Sequence, residues 1–200
     1  RKEERMKILI TNDDGIHAQG IYELAKRVSK FGEVTIVAPY EERSASGHSI
    51  TVHQPIRVEE RNFHDLSLPA YAVSGTPSDC VKIALECLLD TVPDLVLSGI
   101  NNGPNLGTDI LYSGTVAAAI EASIFGVPSM AISMVGTKNI HYNQGADFFQ
   151  ELLSKMLKDE IAKDTLLNIN IPNINKSDIK GTKIATMGIR RYSDSFIKRL

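Results

Sequence analysis

Two adjacent carboxylates, Asp13 and Asp14, follow the first strand-like run of the chain, residues 7–11. Ligands of parallel α/β sheets bind beyond the carboxyl ends of strands, where loops and helix N-termini meet. Neighbouring carboxylates repel each other unless a proton or a cation lies between them, and their oxygens suit a hard divalent metal. The pair therefore indicates a metal site, although the sequence Asn-Asp-Asp-Gly from Asn12 onward is also typical of a turn.

A second polar segment, residues 42–48 (ERSASGH), follows the second predicted strand. The hydroxyl groups of Ser44 and Ser46 can supply a neutral metal ligand and phosphate contacts, together with Arg43 and His48. Ordinary surface loops have the same composition. This segment follows a strand that is expected to lie beside the first strand, and that position favours a functional role.

An asparagine-rich loop and a helix start follow later in the chain. Residues 98–105 (SGINNGPN) come after a buried strand, and the side-chain oxygen of one of their asparagines suits an octahedral metal site. Residues 112–115 (YSGT) begin a helix, where free backbone N–H groups favour an anion such as phosphate. Each segment also has a purely structural interpretation, as a turn and as a helix cap respectively.

Other catalytic motifs are missing from the sequence. It contains no G-x-S-x-G nucleophile elbow, no G-x-x-x-x-G-K-[ST] loop and no G-x-G-x-x-G fingerprint. Of the five histidines, none shows the spacing of a zinc site, and we retain only His48 as a candidate. An aspartyl-phosphate mechanism favours D-x-D rather than the adjacent aspartates found here.

Strand-length apolar runs alternate with helical patterns, which predicts stacked βαβ units around a mostly parallel sheet with one antiparallel excursion. The predicted strands are 7–11, 34–38, 94–98, 129–133, 166–171 and 183–186, with the antiparallel excursion at 50–58 and 71–73. The predicted helices are 18–30, 77–89, 115–125 and 147–158. The whole chain of 200 residues is expected to form a single domain.

The composition points to a small ligand in a reducing compartment. A formal net charge of -2 lacks the basic excess of proteins that grip nucleic acid, so no sequence-specific nucleic acid partner is expected. Cys80 and Cys87 lack metal-cluster spacing and are predicted to be core cysteines near one helix face. With no long apolar run or signal peptide, we expect a cytoplasmic protein without membrane contact.

Five ordered motifs closely resemble SurE, the survival-protein-E family of 5′-nucleotidases. The motifs occupy residues 6–16, 38–50, 75–81, 98–107 and 112–119. The resemblance implies a three-layer αβα, Rossmann-like fold and metal-dependent hydrolysis of nucleoside 5′- and 3′-monophosphates, with some activity on short polyphosphate. It also implies a cytoplasmic homodimer or homotetramer, and metal ligands at Asp13, Asp14, Ser44 and Asn101.

The sequence and the resemblance together lead to a mechanistic hypothesis. One Mg²⁺ or Mn²⁺ per subunit is held by the four ligands and activates a water molecule, and Asp13 accepts the proton of that water. Phosphate oxygens are expected at the helix start and at nearby polar side chains. These residues are Ser113, Gly114 and Thr115, helped by Asn12, Ser46 and Asn105. Base contacts are expected from residues 137–144 or from sequence beyond Leu200.

Two further expectations concern the ends of the chain, and two alternatives concern its activity. Residues 1–5 are interpreted as an extension before Met6, and a C-terminal oligomerisation arm is expected to be truncated or absent after Leu200. A non-catalytic nucleotide-binding or signalling module on the same fold is the main alternative, because fold does not fix function. A glycosyltransferase-like domain is less compatible with a single domain of this length.

Overall fold

The computed structural model describes residues 5–136, 138–159 and 161–190. The expected N-terminal extension, apart from Arg5, and the final segment 193–200 lie outside these ranges. Seven strands form one sheet: β1 (Met6–Thr11), β2 (Gly32–Pro39), β3 (Val58–Glu60), β4 (Ala70–Val73), β5 (Leu95–Asn102), β6 (Ser129–Val135) and β7 (Leu166–Pro172). Their order is β3-β4-β2-β1-β5-β6-β7, and every neighbouring pair except β3 and β4 is parallel.

Helices connect the parallel strands, except that β2 and β4 are joined through β3. The helices are α1 (Gln19–Val28), α2 (Pro77–Ile83) with a π-helical turn at Ala84–Leu88, α3 (Gly114–Ile124) and α4 (Tyr142–Met156). Short 3₁₀ turns lie at Gly107–Tyr112 and Lys176–Asp178. A search for a bilayer-spanning helix within the described residues finds none.

The sheet is covered on both faces. Ile8 and Ile10 of β1 lie in the core cluster that includes side chains of α1 and α4, whereas Leu9 lies in the cluster with side chains of α2 and α3. Because successive side chains of a strand point to opposite faces, β1 is buried on both sides, as its unbroken apolar sequence predicts. The three-layer, mostly parallel fold is therefore confirmed.

Two predicted strands differ from the structure. Of residues 50–58 only Val58 enters a ladder, because Thr51 donates from its backbone N–H and its hydroxyl to the Asp79 carboxylate, at 2.9 and 2.6 Å. That contact ties the segment to α2 instead of to a neighbouring strand. Residues 183–186 have a strand-like sequence, but they are exposed and form no ladder with the described residues.

The prediction of two core cysteines is half wrong. Cys80 is fully buried, whereas Cys87 is exposed. The helix changes from α to π geometry at Ala84, where the Leu89 N–H donates to the Ala84 carbonyl at 3.0 Å. A π turn holds more residues than an α turn, so Cys87 rotates off the face that the seven-residue spacing predicts.

Helix α4 begins at Tyr142, five residues before its predicted start at Asp147. Asn143 and Gly145 are weak helix formers, so the first turn was not visible in the sequence pattern. At Gly145 a Cβ would lie 2.3 Å from the Met134 sulfur, so close packing against β6 requires glycine there. The earlier start brings Tyr142 to the carboxyl edge of the sheet.

Candidate functional site

The two aspartates lie in a tight, anchored turn at the end of β1. Asn12 is buried, and its Nδ2 donates to the Gly15 carbonyl at 2.8 Å. Asp13 is 5% exposed and accepts a hydrogen bond from the Thr115 hydroxyl at 2.6 Å. The Asp14 Oδ2 atom accepts the backbone N–H of Asn102 at 3.0 Å. Both carboxylates are thus held in place by neighbouring elements.

Burial disfavours the charged form of both carboxyl groups. It raises the pKa of Asp13, against the lowering effect of the Thr115 hydrogen bond. It raises the pKa of Asp14 to about 6, with the negative charge of Asp13 as the second cause. Within the described residues neither carboxylate forms a salt bridge with a cationic side chain. Two like charges in such a place favour a bound cation.

The loop after β2 lies against the aspartate turn. The Arg43 backbone N–H donates to the Asp13 carbonyl at 2.7 Å. Ser44 is exposed, and its hydroxyl donates to the Glu42 carboxylate, which itself contributes to the raised pKa values of both aspartates. The Ser46 Oγ atom is buried and has no hydrogen-bond partner among the described residues. The loop therefore brings the Ser46 hydroxyl close to Asp13, and Ser44 follows directly after the backbone bond from Arg43 to Asp13.

Strand β5 brings Asn101 to the same place. The strand was predicted to end at Ser98, but it continues to Asn102 through a register shift between Ser98 and Asn101. Gly99 lies at the shift with φ +142°, and a Cβ there would lie 2.3 Å from the Ile132 carbonyl oxygen. Asn101 Nδ2 donates to the Gly103 carbonyl at 2.8 Å. Its side-chain oxygen accepts no hydrogen bond from the described residues, so it can act as a ligand.

The start of α3 completes the cluster. Ser113 caps the helix by accepting the Val116 N–H at 3.1 Å. At Gly114 a Cβ would lie 2.9 Å from both the Asp13 Cβ and the Ser46 Oγ, so the helix can approach these residues only with glycine there. The first turn of α3 therefore lies against the aspartates, and Thr115 donates to the Asp13 carboxylate from its backbone as well as from its hydroxyl. The N-terminus of a helix in this position also favours an anion such as phosphate.

Asn105 has a different setting from the one its prediction implied. Its backbone N–H donates to Asn170 Oδ1 at 2.9 Å, and its carbonyl accepts from the side-chain amides of Asn168 and Asn170 at 2.8 and 2.9 Å. Its own Nδ2 donates to the Ser133 hydroxyl at 2.8 Å. These contacts anchor the loop after β5 to β6 and β7. Substrate contact by Asn105 stays a prediction.

Three polar residues of β6 and β7 were missed by sequence reasoning. Ser133, Asn168 and Asn170 contact Asn105 from 28 to 65 residues away along the chain. No local pattern marks such long-range bonds between side chain and backbone. The only available signal is the pair of asparagines that alternates with apolar residues in β7, because both asparagines then lie on one face of the strand.

Tyr142 and His48 occupy the margins of the site. Burial, with the charge of Asp14 as the second cause, raises the pKa of Tyr142 to about 12. The hydroxyl group is therefore protonated at neutral pH and available as a donor. The residue falls within segment 137–144, from which base contacts were expected. His48 lies 2.7 Å from Glu121 of α3, measured from Nε2 to Oε2, so it links the loop after β2 to that helix.

The donor set suits a hard cation bound through oxygen. The described residues contain no group of three His, Cys, Asp or Glu side chains arranged for a metal. Mg²⁺ and Mn²⁺ do not require one, because they are often held by one or two carboxylates together with waters and substrate phosphate. The buried Oδ1 of Asn12 and Oγ of Ser46, which have no partner within residues 5–136, 138–159 and 161–190, add polar atoms near the carboxylates. The residues present therefore fit Mg²⁺ or Mn²⁺.

Comparison with known proteins gives consistent results. The family model described as Survival protein SurE matches residues 8–194. A protein of Alkaliphilus metalliredigens named 5′-nucleotidase SurE is 56% identical over 196 residues, which are 98% of this chain and 77% of that protein. A protein of the same name from Carboxydothermus hydrogenoformans is 52% identical, over 97% of this chain and 75% of that protein.

A solved structure agrees with the fold. The crystal structure of the SurE protein from Aquifex aeolicus superposes with a TM-score of 0.84 at 41% sequence identity, covering 94% of this chain and 74% of that one. The matched family model covers β1 from Ile8 onward, all of β2 to β7 and every candidate site residue. The chain belongs to the Survival protein SurE family.

Proposed function

We propose that this chain is a divalent-metal-dependent 5′-nucleotidase, a phosphomonoesterase that releases phosphate from nucleoside 5′-monophosphates and also accepts 3′-monophosphates. The observation that carries the proposal is the buried carboxylate pair, Asp13 and Asp14, next to the glycine-led start of α3. One feature suits a cation and the other suits a phosphate. The shared name of the relatives, 5′-nucleotidase SurE, supports the same activity.

The proposed metal ligands are Asp13, Asp14, Ser44 and Asn101, which hold one Mg²⁺ or Mn²⁺ per chain. Two hydrogen bonds support this set. The N–H of Arg43, which precedes the proposed ligand Ser44, donates to the Asp13 carbonyl, and the N–H of Asn102, which follows the proposed ligand Asn101, donates to the Asp14 carboxylate. When bound, the cation polarises a phosphoryl oxygen and lowers the pKa of a bound water.

The protein groups orient the reactants and accept the proton. The Thr115 hydroxyl fixes the Asp13 carboxylate by its 2.6 Å hydrogen bond, so one Asp13 oxygen keeps a defined direction. Asp13 is the proposed acceptor of the water proton. The N-terminus of α3, with Ser46 and Asn12, holds the phosphate oxygens and stabilises the charge that develops on them.

A phosphate-release panel tests this proposal. AMP, GMP, CMP and UMP, as 5′- and 3′-isomers, are incubated with the chain in Mg²⁺, Mn²⁺ or EDTA. We expect release from the 5′-monophosphates with metal and loss of release with EDTA. Nucleotide binding without phosphate release in either metal contradicts the proposal and favours a non-catalytic nucleotide-binding module on the same fold.

We also propose that the enzyme works as a cytoplasmic homo-oligomer. Leu106, Leu111 and Tyr112 are large apolar side chains exposed within one short stretch, which suits contact with a second copy. The two free thiols suit a reducing compartment. Light scattering coupled to size-exclusion chromatography is expected to give a dimer or tetramer, and a monomer at micromolar concentration contradicts the oligomer.

A further inference from the structure

A cavity of about 470 Å³ opens beside the loop that follows β2. We call it the arginine cleft, and its walls include Arg43, Thr51, Arg57, Ser74, Gly75 and Thr76. Its volume lies in the range of small-molecule sites. Among the described residues, two arginines and no carboxylate line the cleft, so its positive charge favours an anion.

The backbone of the arginine cleft is fixed by hydrogen bonds. Arg57 and Ser74 exchange two of them, from the Ser74 N–H to the Arg57 carbonyl at 3.0 Å and from the Arg57 N–H to the Ser74 hydroxyl at 2.9 Å. The Thr76 hydroxyl donates to the Ser49 carbonyl at 2.7 Å. The cleft is therefore preorganised, which lowers the entropy lost when a ligand binds.

The two arginines keep donors available for a ligand. Arg43 donates one long hydrogen bond, from Nη2 to the Ser74 carbonyl at 3.3 Å. The Arg57 guanidinium has no hydrogen bond or ion pair with the described residues. In contrast, Arg27 and Arg61 both pair with carboxylates. A planar guanidinium matches the oxygens of a phosphate, so phosphate is the anion that two such groups recognise best.

The arginine cleft adjoins the proposed catalytic site. The Arg43 backbone donates to the Asp13 carbonyl at 2.7 Å, and the next residue is the proposed ligand Ser44. We propose that the arginine cleft binds a second phosphate group of the substrate, beyond the one that is removed. This inference rests on the proposed nucleotidase function. The second phosphate belongs either to a nucleoside bisphosphate or to an inorganic polyphosphate chain.

Steady-state kinetics with Arg57→Gln test the inference. The substrates are AMP, adenosine 3′,5′-bisphosphate and tripolyphosphate. The matched control is Arg61→Gln, which removes an exposed arginine four residues away that pairs with Glu59. The substitution removes a charge-assisted hydrogen bond to the second phosphate. We therefore expect KM to rise about tenfold for adenosine 3′,5′-bisphosphate, for tripolyphosphate or for both. The KM and kcat for AMP are expected to stay within about twofold, and the control is expected to behave as the unchanged protein.

The pattern of KM values distinguishes the two sources of phosphate. A rise for the bisphosphate alone identifies a nucleotide ligand, and a rise for tripolyphosphate alone identifies an inorganic chain. An equal rise for AMP, or no rise for either second-phosphate substrate, overturns the inference.

Pyrophosphate binding separates this inference from the proposed function. Isothermal titration calorimetry in EDTA removes the metal contribution, and the difference between Arg57→Gln and the unchanged protein then reports on the arginine cleft. We expect the unchanged protein and Arg61→Gln to bind pyrophosphate, and Arg57→Gln to bind about tenfold more weakly. Equal binding by all three proteins, or no binding by the unchanged protein, overturns the inference. Binding with this pattern but no phosphate release from AMP overturns the proposed function alone.

Discussion

Two polar clusters at the carboxyl edge of the sheet differ in how their polar groups are satisfied. The open cluster, Asn12, Asp13, Asp14 and Ser46, contains two neighbouring carboxylates and two buried polar atoms that find no partner in the described part of the chain. The closed cluster, Asn105, Ser133, Asn168 and Asn170, has no buried side-chain polar atom left unpaired within the described residues.

The difference shows that polar side chains at the same edge of the sheet can serve either the stability of the fold or the binding of a ligand. Buried polar groups that pair within the chain stabilise its fold, whereas unpaired ones are costly unless a ligand completes them. The closed cluster anchors the loop that follows Asn101, and the open cluster offers oxygens to a cation. Substitutions in the two clusters should therefore have opposite signatures, namely lost activity in one and lost stability in the other.

The largest effect is expected for Asp13→Asn and Asp14→Asn. Each removes a proposed metal ligand, and several kcal/mol of transition-state stabilisation correspond to a loss of about 1,000-fold or more in kcat for AMP. Circular dichroism should be unchanged, because an amide has the same shape and still accepts the hydrogen bonds from Thr115 and Asn102. Phosphate-release assays with Mn²⁺ measure this effect. Retained turnover in both variants would remove the aspartates from the mechanism.

An intermediate effect is expected for Asn170→Ala in the closed cluster. The substitution removes the acceptor of the Asn105 backbone N–H and one donor to the Asn105 carbonyl. Asn105 is 7% exposed. An orphaned buried group costs about 2 kcal/mol, or roughly 4 to 8 °C in Tm for a domain of this size. Thermal unfolding followed by circular dichroism measures it. Asn175→Ala is the control, since Asn175 is exposed and makes no side-chain cap bond. Equal Tm values for the two variants would contradict the anchoring role.

The smallest effect is expected for the stability of Asp14→Asn in the absence of metal, and it is a gain where Asn170→Ala gives a loss. The pKa of Asp14 is raised from 3.8 to about 6, so the folded state binds more protons than the unfolded state between these pH values. Stability of the metal-free protein therefore falls as pH rises from about 4 to about 6, and asparagine removes that penalty. Because Asp14 is only partly buried, we expect a gain of about 1 to 2 kcal/mol at pH 7, or roughly 2 to 8 °C.

Thermal unfolding in EDTA at pH 4.5 and pH 7 checks that gain. The difference between Asp14→Asn and the unchanged protein should be present at pH 7 and shrink at pH 4.5. Asp178→Asn serves as the control, because Asp178 is an exposed aspartate in a short 3₁₀ turn. A lower Tm for Asp14→Asn at pH 7 would contradict the conclusion that burial and the neighbouring charge of Asp13 disfavour the ionised Asp14.

Much of the fold was predictable because it is encoded locally. The unbroken apolar sequence of β1 and the turn residues after it predict a buried strand, and Pro77 correctly marks the start of α2. Non-local features were not predictable. The continuation of β5 to Asn102 depends on the contact of Gly99 with β6, and the exposure of Cys87 depends on a change of helical period.

The candidate site shows the same division. Asp13, Asp14 and the start of α3 were identified because each follows or begins an element at the carboxyl edge of the sheet. The roles of Thr115, which orients Asp13, and of Asn168 and Asn170, which hold Asn105, depend on contacts between residues 63 to 102 positions apart. Sequence periodicity carries no information about such pairs, so they emerged only from the structure.

The most direct test of the open cluster is its stoichiometry for Mn²⁺. Electron paramagnetic resonance of free Mn²⁺ during a titration counts the ions that each chain removes from solution. The account predicts one Mn²⁺ per chain for the unchanged protein and for Asp178→Asn, and binding at least about tenfold weaker for Asp14→Asn. No bound Mn²⁺ in the unchanged protein, or equal binding by Asp14→Asn, would contradict it.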